Sequence, residues 1–427
     1  MNDVLPEEIG RWQRVESAYA RTMSLHGYRE VRTPYVEPTG LFVRAIGEAT
    51  DVVEKEMYSF RHHDEDLTMR PEGTAGAARA YIEHGVQAKE PTTRWWYGGP
   101  MFRAERPQRG RYRQFSQLGA EIFGDAGPGC DAEMIDMLVG FLGDLRVPGV
   151  QVLVNSLGGP NTRTLYRDAL VKHLTPKLAS LSAESQRRLQ TNPLRILDSK
   201  GEADQEAVRD APTLHDFLDA EDHAHFDGLR RHLDALGTPY TVEPRLVRGL
   251  DYYTRTLFEI KGAHDKLGAG STLVGGGRYD FMVADLGGPQ VPAIGYAAGL
   301  ERLLIASELE VAPNVVDALV APLGAAAVST ALGIARSLRR SSIRCEVDTR
   351  GTSLKSQLRR ANTLGARVVL ILGDQELADK AVQVKDLDAH SQETLPIEQA
   401  LRVVVDRLVA ASRSVDSRPP HASKERT

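Results

Sequence analysis

Arg248-Gly249-Leu250-Asp251-Tyr252-Tyr253-Thr254 puts a guanidinium, a carboxylate and two phenols into one short segment rich in β-formers. Some twenty positions later comes Gly275-Gly276-Gly277-Arg278-Tyr279-Asp280. The first segment can hold a rigid cation beside aromatic hydroxyls, and the glycine run lets a second backbone approach a ligand closely. That mixture suits a small, polar, planar substrate bound next to a phosphate better than it suits a core.

A second constellation lies on the stretch Arg113 to Phe123. Side chains alternate between the faces of a strand. Arg113, Phe115, Gln117, Gly119 and Glu121 therefore share one face: a cation, an aromatic, an amide, a gap and a carboxylate. Gly119 is expected to leave room for a ligand between Gln117 and Glu121. Arg103 and Glu105 alternate onto one face of the preceding strand. The competing reading, a solvated face with cross-strand ion pairs, is evenly matched on the pattern alone; the gap and Phe115 tip it towards a site. In Arg70-Pro71-Glu72-Gly73-Thr74, Glu72 is a candidate acceptor for an ammonium, and Thr74 a candidate ligand group or a plain helix N-cap. Arg302 opens a helix in Gly299-Leu300-Glu301-Arg302, where it is either a surface residue or a phosphate clamp. Neither G-x-x-x-x-G-K-[ST] nor G-x-G-x-x-G occurs, so a bound nucleotide would be held by arginines rather than a glycine cradle. The histidines lack zinc-ligand spacing; His62-His63 and His223-x-His225 are read as solvated loop residues.

These residues need elements to hold them. Trp12, Val15, Tyr19 and Met23 form a helical stripe over about 7–26, with Gly27 at its C-terminal cap. A strand is expected over Tyr28 to Thr33, stopped by Pro34, then a helix carrying Leu41, Phe42 and Ile46. Arg94 to Phe123 reads as a β-hairpin around the polar loop Arg106 to Gly110, and 132–145 as a helix. Helical spacing dominates 159–238. Strands return over about 240–280, and Ala293-Ile294-Gly295-Tyr296 leads into the helix of Arg302. A linker is expected near Val311 to Asn314. Beyond it β and α units alternate: strands at 318–322, 344–348 and 367–372, helices at 325–340, 353–364 and 396–411. Such alternation implies a small α/β domain with a largely parallel sheet.

The 427 residues suffice for two or three domains. A net charge of −5 excludes a global basic field, so any nucleic-acid binding must rest on local patches. Two distant cysteines, Cys130 and Cys345, argue against a disulfide framework and fit a reducing cytosol, where both are read as buried small apolar residues. No signal peptide and no run of about 18 apolar residues is seen.

Over nearly its entire length the sequence resembles the histidyl-tRNA synthetases, which are class II aminoacyl-tRNA synthetases. Three class motifs are matched by Tyr28-Arg29-Glu30-Val31-Arg32-Thr33-Pro34, by Phe102-Arg103-x-Glu105 with its hairpin, and by Gly299-Leu300-Glu301-Arg302. The segments special to the histidine enzymes are matched by Arg248 to Tyr253 and Gly276 to Asp280. Arg70 to Thr74 and Arg111-Tyr112-Arg113-Gln114-Phe115 also match.

The resemblance implies an α+β fold: a class II synthetase-like antiparallel sheet flanked by helices, with a helical insertion and a C-terminal α/β domain. It divides the chain into a catalytic domain (1–158 and 240–310), an insertion (159–239), an anticodon-binding domain (315–411) and a disordered tail (412–427). It implies activation of L-histidine by ATP to histidyl-adenylate, with transfer to the 3′ end of tRNA-His. Glu72, Thr74 and Gln117 would hold the α-amino group. Glu121, Tyr253 and Tyr279 would pair with the imidazole. Phe115 would stack on adenine, with Arg103, Glu105, Arg111 and Arg302 around the phosphates. Arg248, with Arg103, would stabilise charge as pyrophosphate leaves. Mg2+ would come with ATP rather than occupy a metal site of the protein's own. Arg106, Gln108 and Arg109 would meet the acceptor end of the tRNA, and Lys355, Arg359 and Arg360 its anticodon arm. Between Arg336 and Arg367, nine basic residues face only Glu346 and Asp348, which marks a local basic patch. A cytoplasmic homodimer with no membrane contact is implied.

Relatives usually carry a few residues before the methionine at which this sequence starts. Met1 is therefore expected to be internal, an idea that a native protein whose intact mass begins at Met1 would sink. Ala104 stands where relatives tend to have an aromatic or histidine, and Ser116 where they often have histidine. Alternation puts both on the face away from the ligand, so altered packing rather than lost activity is expected. An inactive enzyme restored by Ser116→His would overturn that. The alternative is a histidine-binding regulatory paralog that controls ATP phosphoribosyltransferase; such paralogs typically lose the arginine at 248 and the last domain, both kept here. A tRNA-binding module without catalysis leaves Tyr253, Glu121 and the glycine run unexplained.

Overall fold

A computed structural model describes residues 3–48, 50–105, 110–197, 199–247, 250–263, 267, 272–309 and 316–416, the last eight of them by their helix alone. The chain divides into two compact units, Met1–Glu310 and Val311–Thr427.

The first unit opens with α1 (Pro6–Leu25), begun by a proline and the acidic pair Glu7 and Glu8, which suit the positive end of a helix. Its stripe of Val15, Tyr19 and Met23 is buried, and Gly27 leaves the helix at φ +74°. There follow β1 (Arg29–Glu30), β2 (Val36–Pro38), α2 (Thr39–Ile46), β3 (Tyr58–His62), β4 (Glu65–Met69) and α3 (Thr74–Glu83). The hairpin is β5 (Thr93–Phe102) and β6 (Gln114–Phe123), so Arg103 and Glu105 lie just past the strand expected to carry them. Next come α4 (Pro128–Asp144), β7 (Gln151–Ser156), α5 (Pro160–Leu174), α6 (Ala183–Thr191), α7 (Glu202–Val208) and α8 (Ala220–Leu236). The unit ends with β8 (Thr241–Val242), β9 (Thr254–Lys261), β10 (Thr272–Arg278), α9 (Met282–Asp285), β11 (Ala293–Gly299) and α10 (Leu300–Ala306).

Eight strands form one sheet in the order β1-β5-β6-β11-β10-β9-β7-β8. It is antiparallel through its middle and parallel at both edges, where β1 joins β5 and β8 joins β7. One face is apolar: Leu118, Ala120 and Ile122 of β6 and Ile294 and Ala298 of β11 pack under α1, α4, α8 and α10. Phe115, Gln117, Gly119 and Glu121 have the opposite parity, and Phe115 and Gln117 line the cleft described below. Of the helices in 159–239, α5 to α7 enclose a separate cluster of Tyr166, Leu170, Leu174, Leu189 and Ile196, which also takes in Tyr253 and Leu257. The last helix, α8, packs Phe226, Leu229 and Leu233 into the main core.

Histidine placement departs from expectation. His62 lies on β3, His63 turns at φ 51°, and both are exposed. His223 is exposed on α8, but His225 is a buried helical residue, 3.6 Å from the Asp131 carboxylate. Its position on the inward stripe of α8 decides this, not local polarity.

The second unit holds β12 (Ala318–Pro322), α11 (Val328–Arg340), β13 (Cys345–Val347), α12 (Leu354–Thr363), β14 (Val368–Leu372), α13 (Asp374–Ala378), β15 (Ala381–Asp386), β16 (Ser391–Pro396) and α14 (Ile397–Asp416). The sheet order is β13-β12-β14-β15-β16. The first three strands are parallel, as the βα alternation requires, but β15 and β16 add an antiparallel hairpin. The sheet is therefore mixed rather than largely parallel. The hairpin escaped the sequence pattern because β16 is exposed almost throughout and carries no apolar alternation. The last helix runs past 411 to Asp416, and the remaining tail lies outside the described residues.

Candidate active site

On the polar face of the large sheet lies a cleft of about 370 Å³. Its floor is made of small residues, Gly295, Ala297 and Gly299 of β11 and Gly275 of β10, which keep the sheet surface open. At one end Glu121 is fully buried and does not itself line the cleft, although its neighbours Gly295 and Tyr279 do. Register sets Glu121 opposite Gly295, and a side chain at 295 would collide with the glutamate carboxylate. Tyr97 donates to Glu121 Oε1 at 2.9 Å, and Tyr279 donates to Oε2.

Tyr97 was not among the expected site residues, and it changes the account of Gly119. A Cβ at 119 would lie 2.5 Å from the Tyr97 ring, and one at Gly73 would also strike it. The gap at Gly119 therefore admits Tyr97, not a ligand. The hairpin pairs Tyr97 directly with Gly119, a register visible only once the loop geometry is known. Burial pushes the Glu121 carboxyl up to about 8, against hydrogen bonds from Tyr279, Thr74 and Tyr97 that pull it down. Burial, reinforced by the Glu121 charge, holds the Tyr97 and Tyr279 phenols well above their usual range, so both stay donors.

Glu72 is also buried, and its two oxygens accept the N–H groups of Thr74 and Ala75, each at 2.8 Å. It thus serves the first turn of α3 from outside the helix, while Gly73 holds the cap position expected for Thr74. Burial raises the Glu72 carboxyl, and these backbone donors oppose the rise. Gln117 accepts from Gly73 N–H at 3.2 Å. Thr74, Gln117, Tyr253 and Tyr279 all line the cleft with Glu72. So does Tyr252, another residue absent from the expected set, whose ring lies 4.6 Å from that of Tyr253 and 5.6 Å from that of Tyr279.

The other end of the cleft is cationic. Arg103, Arg111 and Arg302 line it with Glu105 and Phe115. Arg103 donates to the Pro71 carbonyl at 2.8 Å, and its guanidinium carbon lies 5.4 Å from the Phe115 ring centroid. Glu105 is shared between Arg103 at 3.8 Å and Arg111 at 3.5 Å. Arg302 Nε has no hydrogen-bond partner among the described residues, and burial followed by the charge of Arg111 lowers its pKa. Glu56 and Glu301 line this end as well, so what marks it as a candidate anion site is that Arg103 and Arg111 share one carboxylate and Arg302 keeps a donor unspent.

Arg248, Arg106, Gln108 and Arg109 lie outside the described residues. Arg278, from the glycine-rich segment, points away from the cleft and is fully buried against Asp131 at 2.7 Å. Ser116 donates its N–H to Glu301 on the face away from Gln117.

In the second unit Lys355 and Arg359 are exposed one turn apart on α12 and have no ion pair among the described residues. Arg360 is engaged by Glu346, its Nε at 2.8 Å. The basic patch is more neutralised than the sequence suggests. Arg344 pairs with Asp317 at 2.7 Å and Arg367 with Asp388 at 2.7 Å, both acids lying outside the stretch, and Arg350 takes Asp348 at 2.6 Å.

Two family models match: "Histidyl-tRNA synthetase" over residues 1–303, and "Anticodon binding domain" over 317–407. The chain belongs to the histidyl-tRNA synthetase family. It is 58% identical over 411 residues to a histidine–tRNA ligase of Sorangium cellulosum, covering 96% of both chains, and 47% identical to that of Syntrophotalea carbinolica, covering 94% of this chain and 96% of that one. The structure is similar to apo histidyl-tRNA synthetase of S. aureus, with a TM-score of 0.80 at 35% identity over 95% of this chain and 98% of that one. The regulatory paralog is not favoured, since the anticodon-binding domain is present. No described helix is long and apolar enough to cross a membrane.

Proposed function

We propose that the chain is a histidine–tRNA ligase in which the cleft forms histidyl-adenylate and pyrophosphate from histidine and ATP, then passes histidine to the 3′ end of tRNA-His. The observation that carries this reading is the polarity of one cleft. At one end Tyr279 lines the cleft and, with Tyr97, holds the buried Glu121; at the other Arg103, Arg111 and Arg302 gather with a donor unspent.

The α-amino group would be held by Glu72, Thr74 and Gln117, all of which line the cleft. The imidazole would pair with Glu121, backed by Tyr279, and with Tyr253. Tyr97 would hold the Glu121 carboxylate without touching the substrate. An amino acid lacking ring N–H groups would leave these buried partners unpaired, which supplies selectivity. Phe115 would stack on adenine. Arg103 would bridge the α-phosphate, with Arg111 and Arg302 on the outer phosphates and Arg248 beside the reacting carboxylate. The substrate carboxylate is already ionised, so no general base is needed. The cations align two anions that repel in water and stabilise the charge that develops on pyrophosphate. Mg2+ is proposed to enter on the β- and γ-phosphates of ATP and to neutralise their charge.

Residues 1–158 and 240–310 would form the catalytic domain and 159–239 the insertion. Residues 315–411 would read the anticodon arm through exposed cations such as Lys355 and Arg359, and the loop of Arg106, Gln108 and Arg109 would meet the acceptor end. The enzyme is proposed to work as a cytoplasmic homodimer.

The test is ATP–pyrophosphate exchange with each amino acid in turn, for the parent and Arg248→Ala. Exchange that needs histidine and vanishes in the variant supports the reading. Exchange driven by another amino acid, or none at all, overturns it.

A further inference from the structure

The loop that carries Tyr252 and Tyr253 is gripped from outside by the helical stretch 160–197. Asn192, between α6 and the next turn, donates its amide to Asp251 Oδ1 at 2.6 Å. Arg163 of α5 donates to the Asp251 carbonyl at 2.6 Å and stands 3.7 Å from its carboxylate. The catalytic side meets the same residue. Asp251 N–H donates to Ile46 O at the end of α2, and Gly47 (φ +101°) offers so little room that a Cβ there would lie 3.1 Å from the aspartate. The turn that contains Asn192 carries a second grip. Arg195 pairs with Asp51, which Arg188 also approaches at 3.4 Å, and Asp51, Arg195 and the adjoining Val52 line the cleft.

Position 251 immediately precedes the two tyrosines, and Tyr252 lies against Tyr279, the residue that holds Glu121. A shift of Asp251 is therefore delivered to the tyrosine pair and, through Tyr279, to the buried carboxylate. Among the described residues nothing on the catalytic sheet offers Asp251 a side-chain donor; Asn192 and Arg163 supply them. We propose that Asn192 and Arg163 are positioning residues for the amino-acid subsite, acting through Asp251, so that the helical stretch sets the affinity for the amino acid.

The proposal rests on the synthetase reading above and extends it. It predicts a selective defect. The groups that would touch ATP are anchored elsewhere: Arg103 on Pro71, Arg302 on α10. Loosening Asp251 should therefore raise the KM for histidine while leaving that for ATP near the parent value.

The experiment is exchange kinetics on the full chain for Asn192→Ala, Asn192→Asp and the reciprocal pair Asn192→Asp with Asp251→Asn, alongside Arg167→Ala at an exposed position of α5 and thermal melts of each. The expected result is a KM for histidine raised about tenfold by Asn192→Ala, the factor that loss of one well-made hydrogen bond to a charged group supports. Asn192→Asp, which sets two carboxylates together, should be worse. The reciprocal pair, which restores an amide facing a carboxylate, should recover much of the loss. Arg167→Ala should match the parent. Equal losses for histidine and ATP that track a lowered melting point overturn the proposal, because they mark a merely structural contact. So does an unchanged histidine KM in Asn192→Asp. A parent that shows no histidine-dependent exchange sinks the synthetase reading instead, so the two failures are told apart.

Discussion

The arginines of the cleft and those of the C-terminal unit live under opposite conditions. In the cleft, Arg103 and Arg111 share Glu105, and Arg302 keeps an Nε without a hydrogen-bond partner among the described residues in a half-buried site. In the C-terminal unit, Arg344, Arg350, Arg360 and Arg367 each hold an acid of their own at the surface. A half-buried guanidinium with an unused donor is costly to keep, so its persistence points to an anion that arrives from outside. A solvated pair costs little and signals little. Counting basic residues along the sequence treats both groups alike; only the structure separates cations that wait for a partner from cations that already have one.

The sharpest break of this contrast is the removal of a cleft arginine. Arg103→Ala should lower kcat/KM for histidine-dependent exchange by about two to three orders of magnitude, the scale for one preorganised donor to a developing charge. Arg360→Ala, measured side by side, should leave exchange at the parent level. Equal effects would abolish the distinction.

Next in size is Glu121→Gln. The neutral amide cannot accept from Tyr97, Tyr279 and an imidazole together, and a buried donor is left unmatched. The kcat/KM for histidine should fall about a hundredfold, against about tenfold for Tyr97→Phe, which removes one hydrogen bond and keeps the ring between Gly73 and Gly119. A Tyr97→Phe enzyme as damaged as Glu121→Gln would show that the phenol itself touches substrate.

The same carboxylate gives a pH signature. Its folded pKa, about 8, lies above the unfolded value near 4.5, so the folded state binds the extra proton between these limits. Stability contributed by this group is present at low pH and is lost as pH rises towards about 8. Glu301, pushed up to about 7 by burial, acts in the same direction. Melting points of the substrate-free protein from about pH 5 to about pH 8 should therefore fall more steeply for the parent than for Glu121→Gln. Equal slopes would mean that the carboxyl is already ionised in the folded protein.

Much of this site was legible from strand parity. The alternation over 113–121 puts Phe115 and Gln117 on the cleft face of β6, while its gap at Gly119 takes Tyr97 rather than a ligand, and of the glycine run Gly275 lines the cleft. Tyr97 was hidden because Trp95-Trp96-Tyr97 reads as uniformly aromatic, and only the hairpin register gives that ring its place over Gly119. Asp251 was visible as a residue, but its partners lie 59 and 88 positions away in the chain. Asp317 and Asp388 sit outside the stretch whose charges they cancel, and no local rule brings them in. Parity and period are local properties; pairing between distant charges is set by topology.

Lys355 and Arg359 sharpen the comparison, because they are exposed cations of α12 with no ion pair among the described residues. Replacing both with alanine should leave histidine-dependent exchange unchanged and raise the KM for tRNA about tenfold. The salt dependence of tRNA binding should become shallower by about one to two in log–log slope, one counterion per lost phosphate contact. An unchanged slope would remove α12 from the tRNA surface.

The smallest effect belongs to a pair that is already satisfied. Arg367 and Asp388 are 2.7 Å apart but remain partly in solvent, where Coulomb attraction is weak and two side chains must be ordered to gain it. Arg367→Ala should change stability by less than about 1 kcal/mol, read from chemical denaturation followed by a probe in the C-terminal unit. Salt at about 1 M should erase most of that difference, since screening at such strength acts within a few ångströms. A loss of several kcal/mol that survives salt would mean that the pair is part of the folded core of this unit. In that case its arginines would be structural in the way Arg278 is, locked between Asp131 and backbone carbonyls with no access to water.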